Sequence, residues 1–140
     1  MADIRFETGV VSFNLNDVVS VEFNPTDSVF VEKIYNTFEE LDGKQSAYKA
    51  EVERCADKKE IFNIARRRDQ EMRDMIDELF GKPVCAALFG GMNIYALADG
   101  FPVWCNLMLA VIDQIDTTFS REQRQTNAKI KKYTDKWNKK

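Results

Sequence analysis

Asp99 to Phe119 reads DGFPVWCNLMLAVIDQIDTTF and is the most apolar segment of the chain. Between Phe101 and Ile112 only Asn106 is strongly polar. Further on, the apolar residues thin into a stripe, Trp104, Met108, Val111, Ile115 and Phe119, at spacings of four, three, four and four. That is one face of an α-helix. A helix that is apolar nearly all round at its start has to be enclosed by other elements. The segment near residues 102–119 therefore reads as the central helix of a single domain spanning residues 1–140. Pro102 suits a first helical position, which makes Phe101 the cap, with Asp99 the alternative.

Upstream, residues 4–23 read as strand. Val11, Phe13 and Leu15 alternate with polar residues, and so do Val19, Val21 and Phe23. Asn16-Asp17 between the two runs is turn chemistry, so a β-hairpin is expected, with Ile4 and Phe6 as a possible third strand. A lone hairpin is marginal in water and needs helices on its apolar face. Any edge left uncovered can pair with another chain.

Asn24-Pro25-Thr26-Asp27 opens the first helix, with Thr26 or Asn24 as cap. Phe30, Ile34, Phe38 and Leu41 form its stripe, and Asp42-Gly43 is expected to end or bend it. Lys44–Ala56 then reads as a second helical stretch carrying Tyr48, Val52 and Cys55, and Asp57–Phe80 as a third. The seam of the third is Ile61, Ala65, Arg68, Met72, Met75 and Leu79, with Arg67–Glu71, Asp69–Arg73 and Arg73–Asp77 as supporting pairs four apart. Gly81 and Pro83 punctuate, Val84–Phe89 is a short apolar segment, Gly90-Gly91 is a mobile break, and Met92–Ala98 is read as one more short helical turn. The predicted fold is α+β, predominantly α: a hairpin region at 4–23 packed on a helical bundle at 26–119, followed by a basic, helical tail at 120–140.

Composition bounds the chemistry. The chain has no histidine, which removes the commonest general base and zinc ligand. Cys55, Cys85 and Cys105 are odd in number and form no CxxC pair, so they read as buried small apolar residues and not as a disulfide framework or a metal site. Gly90-Gly91 has neither a following GK[ST] nor a GxGxxG context. Asp113 and Asp116, three apart on one helix face, read as solvated surface, and Arg66-Arg67-Arg68 point in three directions among acids. No catalytic, cofactor-binding or metal-binding residue is assigned, and the chain is expected not to be an enzyme. The apolar run is too short to span a bilayer, and the first residues show no basic stretch followed by an apolar one. The expected location is therefore the cytoplasm, without membrane contact.

Charge is unevenly spread. Residues 120–140 hold eight Lys/Arg and two Asp/Glu, a net of +6. Residues 1–119 hold the remaining 12 Lys/Arg and 21 Asp/Glu, a net of −9. A basic tail on an acidic body points to an acidic partner, and a second copy of the chain is one. In the tail, Ile130, Tyr133 and Trp137 fall at spacings of three and four among Lys131, Lys132 and Lys136. These six residues are the candidate partner-binding set, since Trp and Tyr are favoured interface anchors. Docking of this stripe on its own domain is the plain alternative. Nucleic acid could be bound by the same lysines and aromatics, but the acidic body argues against it as the main partner. Ser120-Arg121-Glu122-Gln123 fits a capping box, so the tail is either a new helix or a continuation.

Two blocks carry a family resemblance: FNPTDSVFVEKIYNTFEELDGKQ at 23–45 and ALADGFPVWCNLMLAVIDQIDTTFSREQRQTNAKIKKYTDKW at 96–137. Together they resemble a family of small proteins from the tail-gene modules of siphophages and prophages of Firmicutes, which in size and setting are similar to tail assembly chaperones. The resemblance implies action in the cytoplasm of the bacterial host. It also implies binding of the tape-measure protein or tube subunits before polymerisation, and a homo-oligomer, with no cofactor. A structural tail or tail-completion protein kept in the virion is the alternative. The resemblance carries over no residue role.

Overall fold

The computed structural model describes the backbone of residues 1–138 and the side chains of residues 1–125. The predicted class holds: the chain is α+β and mostly helical, with an N-terminal antiparallel hairpin. Strand β1, Val11–Leu15, pairs with β2, Val19–Phe23, with Val11 opposite Phe23 and Leu15 opposite Val19. The Val18 N–H donates to the Leu15 carbonyl at 3.1 Å, and the two central residues of that turn, Asn16 and Asp17, have φ of 51° and 60°. Asn and Asp tolerate this left-handed region because their side chains can bond locally; the Asn14 Oδ1 accepts from the Asp17 N–H at 2.7 Å. Val21 and Phe23 are buried, whereas Ile4 and Phe6 belong to no strand and are 86% and 81% exposed. The possible third strand is absent: residues 1–10 form no strand in their own chain.

Helix α1 runs from Ser28 to Arg54 without ending at Gly43, so the two expected stretches are one helix. Its cap is Asp27, whose carboxylate accepts from the Val29 N–H at 3.0 Å; Asn24 bonds Thr26 instead. Tertiary contacts on both sides of Gly43 override its weak helix propensity. Leu41 is fully buried, Lys44 pairs with Glu71, Gln45 meets Trp104, and Tyr48 stacks on Tyr95 with ring centroids 4.3 Å apart.

Helix α2, Lys58–Phe80, returns antiparallel along α1 after a short connection capped by Asp57. Its buried residues are Ile64, Met72, Ile76 and Leu79. The expected seam had the right direction but missed Ile64 and Ile76, because α2 is covered by α1 on one side and by α3 on another, which widens its apolar face beyond a two-helix seam. It ends at Gly81, which has a φ of 71° and whose N–H donates to the carbonyls of Asp77 and Glu78. Asp69–Arg73 forms as expected. Arg67 pairs with Glu51 across the helices and not with Glu71, and Asp77 accepts from the Cys85 N–H, capping the short helix α3, Val84–Phe89.

Met92–Ala98 is not a helical turn. It is a loop leading into β3, Leu97–Ala98, which pairs with β4, Phe101–Pro102, through Asp99 and Gly100 at positive φ. Asp99 and Gly100 therefore make a hairpin turn and do not cap a helix. Helix α4 starts at Val103, with Pro102 left in β4. Phe101 is not its cap either: the N–H groups of Val103 and Trp104 donate to the carbonyls of Ala96 and Ile94 at 2.8 and 3.2 Å. The loop satisfies the free N–H groups of the helix start with its own backbone.

Helix α4, Val103–Asn138, is continuous through Ser120, so the expected capping box does not form a new helix start. Trp104, Met108, Val111 and Ile115 are buried as the stripe requires. The next buried residue is Thr118, not Phe119, which is 49% exposed. Thr118 lies beside Val10, Val11 and Ser12 at the start of the hairpin.

Candidate functional site

Two surfaces on this frame are candidates for contact, and both involve α4. The first is the part of α4 that follows Thr118. Thr118 is the last buried residue among those whose side chains are described; Phe119 to Gln125 are all exposed. The helical backbone continues to Asn138, 20 residues past Thr118, or roughly 30 Å at 1.5 Å per residue. Ile130, Lys131, Lys132, Tyr133, Lys136 and Trp137 sit on this backbone, and their side chains lie outside the described residues. Of this run Arg121, Glu122 and Arg124 are exposed, and Arg121 and Glu122 border Glu7, Gly9 and Val10 of the N-terminal segment.

The second surface is a groove between β1 and α4, with a volume of about 480 Å³. Its floor is apolar: Phe13 and Leu15 from β1, Leu88 from α3, and Val103 and Leu107 from α4. Carboxamides stand round it, Asn14 and Asn16 at the hairpin, Asn106 and Gln114 on α4. An amide side chain both donates and accepts, which suits a peptide backbone better than an ion. No motif marks the groove in the sequence, because it is a gap between elements far apart in the chain.

The polar residues near the core have structural work. Arg68, at a seam position, pairs with Glu51 and Glu71, and Lys44 also reaches Glu71. Bonds from Arg68 and Lys44 hold the Glu51 and Glu71 carboxyls below their usual range, and Glu51 holds Arg68 above its own. Arg67 shares Glu51, and Arg66 bonds Asn63, so the triple arginine is spent on neighbours and does not converge on a phosphate site. Gly90-Gly91 is tied down, since Arg73 donates to the carbonyls of Gly90 and Met92. Asp69 accepts from the Ile94 N–H at 2.7 Å, and Asn93 donates to the Ala65 carbonyl at 3.1 Å.

Cys85 is buried, and burial with Asp77 nearby pushes its thiol up to about 12, so it is protonated and a poor nucleophile at neutral pH. Burial raises Cys105 too. Asp113 and Asp116 are both exposed. Among the described residues no cluster of three Cys, Asp or Glu is placed to hold a metal ion, and no helix is long and apolar enough to cross a membrane. Comparison with protein-family models, curated proteins and solved structures finds no match for the chain.

Proposed function

We propose that this protein is a non-enzymatic assembly factor of phage or prophage tails, a chaperone that binds the tape-measure protein or tube subunits in the host cytoplasm before they polymerise. The observation that carries the reading is the 20-residue run of α4 beyond Thr118. Its described part, Phe119 to Gln125, is exposed, and an exposed helix face of this kind can pack on a partner helix. The run belongs to the segment with net charge +6, on a body of net −9, so an acidic helical client is attracted while the body of another copy is not repelled. The resemblance of residues 23–45 and 96–137 to tail-module proteins supplies the setting.

The test is mass spectrometry of purified particles beside an infected-cell lysate. Peptides of this chain in the lysate and none in particles support a factor that leaves. Recovery at many copies per particle would replace the reading with a structural tail protein. In parallel, K131E/K132E/K136E should abolish co-purification of the client at low salt and leave thermal stability unchanged. Retained binding would remove the tail from the contact surface.

A further inference from the structure

We infer that the chain self-associates by arm exchange: residues 1–7 of one copy lie as an added strand on the open edge of β1 in a second copy, with Ile4 and Phe6 seated in the groove between β1 and α4. The inference is independent of the proposed function.

The hairpin has two edges and only one is guarded. Lys82 Nζ donates to the Ser20 carbonyl at 2.5 Å, closing the outer edge of β2. A lysine over a strand edge is a common block to further pairing. That bond also fixes which peptide groups point outward. Ser20 faces Asn14 in the register, and in an antiparallel pair whose carbonyls point away from each other both partners turn outward. So Asn14, and Ser12 two residues before it, present their peptide N–H and C=O groups at the outer edge of β1. Among the described residues nothing bonds them.

Beside that edge lies the apolar groove. A strand added to β1 would set every second side chain into it. The same chain carries a segment with that pattern. Ile4 and Phe6, two apart, alternate with Asp3, Arg5 and Glu7, and are 86% and 81% exposed in their own copy. Both halves of one interface are therefore unfilled on one molecule. The arm also has a fixed root. Asn24 Nδ2 donates to the Thr8 carbonyl at 2.9 Å, and Gly9, at φ +75°, packs so closely that a Cβ there would lie 2.6 Å from Asn24 Nδ2. This holds the arm's base at the end of β2, leaving residues 1–7 to reach outward. Asp3, Arg5 and Glu7 would stand on the opposite, solvent face, beside the polar side chains of Ser12 and Asn14.

The experiment is sedimentation velocity of the full chain over a concentration series, with two variants. Phe6→Asp breaks the arm and leaves the groove; Ala110→Arg, at an exposed α4 position lining the groove, fills the groove and leaves the arm. The expected result is association of the wild-type chain, its loss in each variant alone, and its return when the two variants are mixed, because one intact arm then meets one intact groove. Circular dichroism confirms that each variant is folded, and Ile4→Asp repeats the arm test at a second exposed position. A wild-type chain that stays monomeric overturns the inference, as does association that survives Phe6→Asp or Ala110→Arg. A monomeric wild type whose thermal stability falls with Phe6→Asp overturns it in favour of the arm folding into its own groove.

Discussion

The indole N–H of Trp104 donates to Gln45 Oε1 at 2.9 Å, joining the first turn of α4 to the middle of α1. Trp104 is 2% exposed and is the largest fully buried side chain among the described residues, and Phe38 lies against it with ring centroids 5.8 Å apart. Trp104→Ala should cost about 3–5 kcal/mol, as for other large aromatic truncations in cores. Trp104→Phe keeps part of the packing but leaves Gln45 without its donor, and should cost about 2 kcal/mol. Urea unfolding of both variants measures the two figures. A loss near zero for Trp104→Phe would mean that the bond contributes nothing.

Gly43 stands in the interior of α1, and an added Cβ there meets no atom within 4 Å. Gly43→Ala should therefore stabilise by roughly 0.5–1 kcal/mol, from helix propensity and a less flexible unfolded chain. A rise in midpoint temperature of about 3 °C would register it. A fall would mean that the helix needs glycine there for a reason the packing does not show.

Glu51 and Glu71 are bonded to Arg68 and Lys44, and their folded-state pKa values are depressed below the ordinary 4.5. A carboxylate depressed in the folded state adds stability that is present above its unfolded pKa and is lost as pH falls through the folded one. Stability should thus hold down to about pH 4.5 and decline below it, and Glu51→Gln should flatten that decline. Denaturant midpoints from pH 7 to pH 3 would check it. An acid limb of unchanged slope in Glu51→Gln would show that the pairs do not contribute.

The three thiols should differ in accessibility. Cys55 is partly exposed, whereas Cys85 and Cys105 are buried. At neutral pH a thiol-disulfide reagent should label about one thiol per native chain quickly, and all three only in denaturant. Three fast-reacting thiols in the native protein would contradict the packing of α3 and α4.

Tyr95 offers a different kind of test. Its hydroxyl is buried and has no hydrogen-bond partner among the described residues, and burial raises its pKa. Tyr95→Phe removes a polar group that gains nothing from the fold while keeping the ring stacked on Tyr48. The expected change is between zero and about 1 kcal/mol of added stability. A clear loss would reveal a bonded partner for the hydroxyl.

The hairpin was legible because alternation at Val11, Phe13, Leu15 and at Val19, Val21, Phe23 fixes a register, and Asn16-Asp17 fixes its turn. The α4 stripe was legible as far as Ile115, where one layer of packing sets the period. Sequence reasoning failed where tertiary contacts decide. Gly43 is a stop signal overridden by Gln45 and Tyr48, and Asp99-Gly100 is cap chemistry used for a turn. Ile64 and Ile76 lay off the expected seam because α2 is covered on more than one side. The groove had no local signature at all, since Phe13, Leu88 and Leu107 meet only after folding.

The start of α4 is held by the Ala96 and Ile94 carbonyls and by Trp104, while its last described residue lies far from any of them. Met108, Val111, Ile115 and Thr118 extend that hold along the next four turns. Mechanically, the pivot of the helix is therefore Thr118 and not Val103. Over the roughly 30 Å that follow, each degree of bend at Thr118 moves the last described residue by about half an ångström, so a small change in how that threonine seats is magnified along the helix.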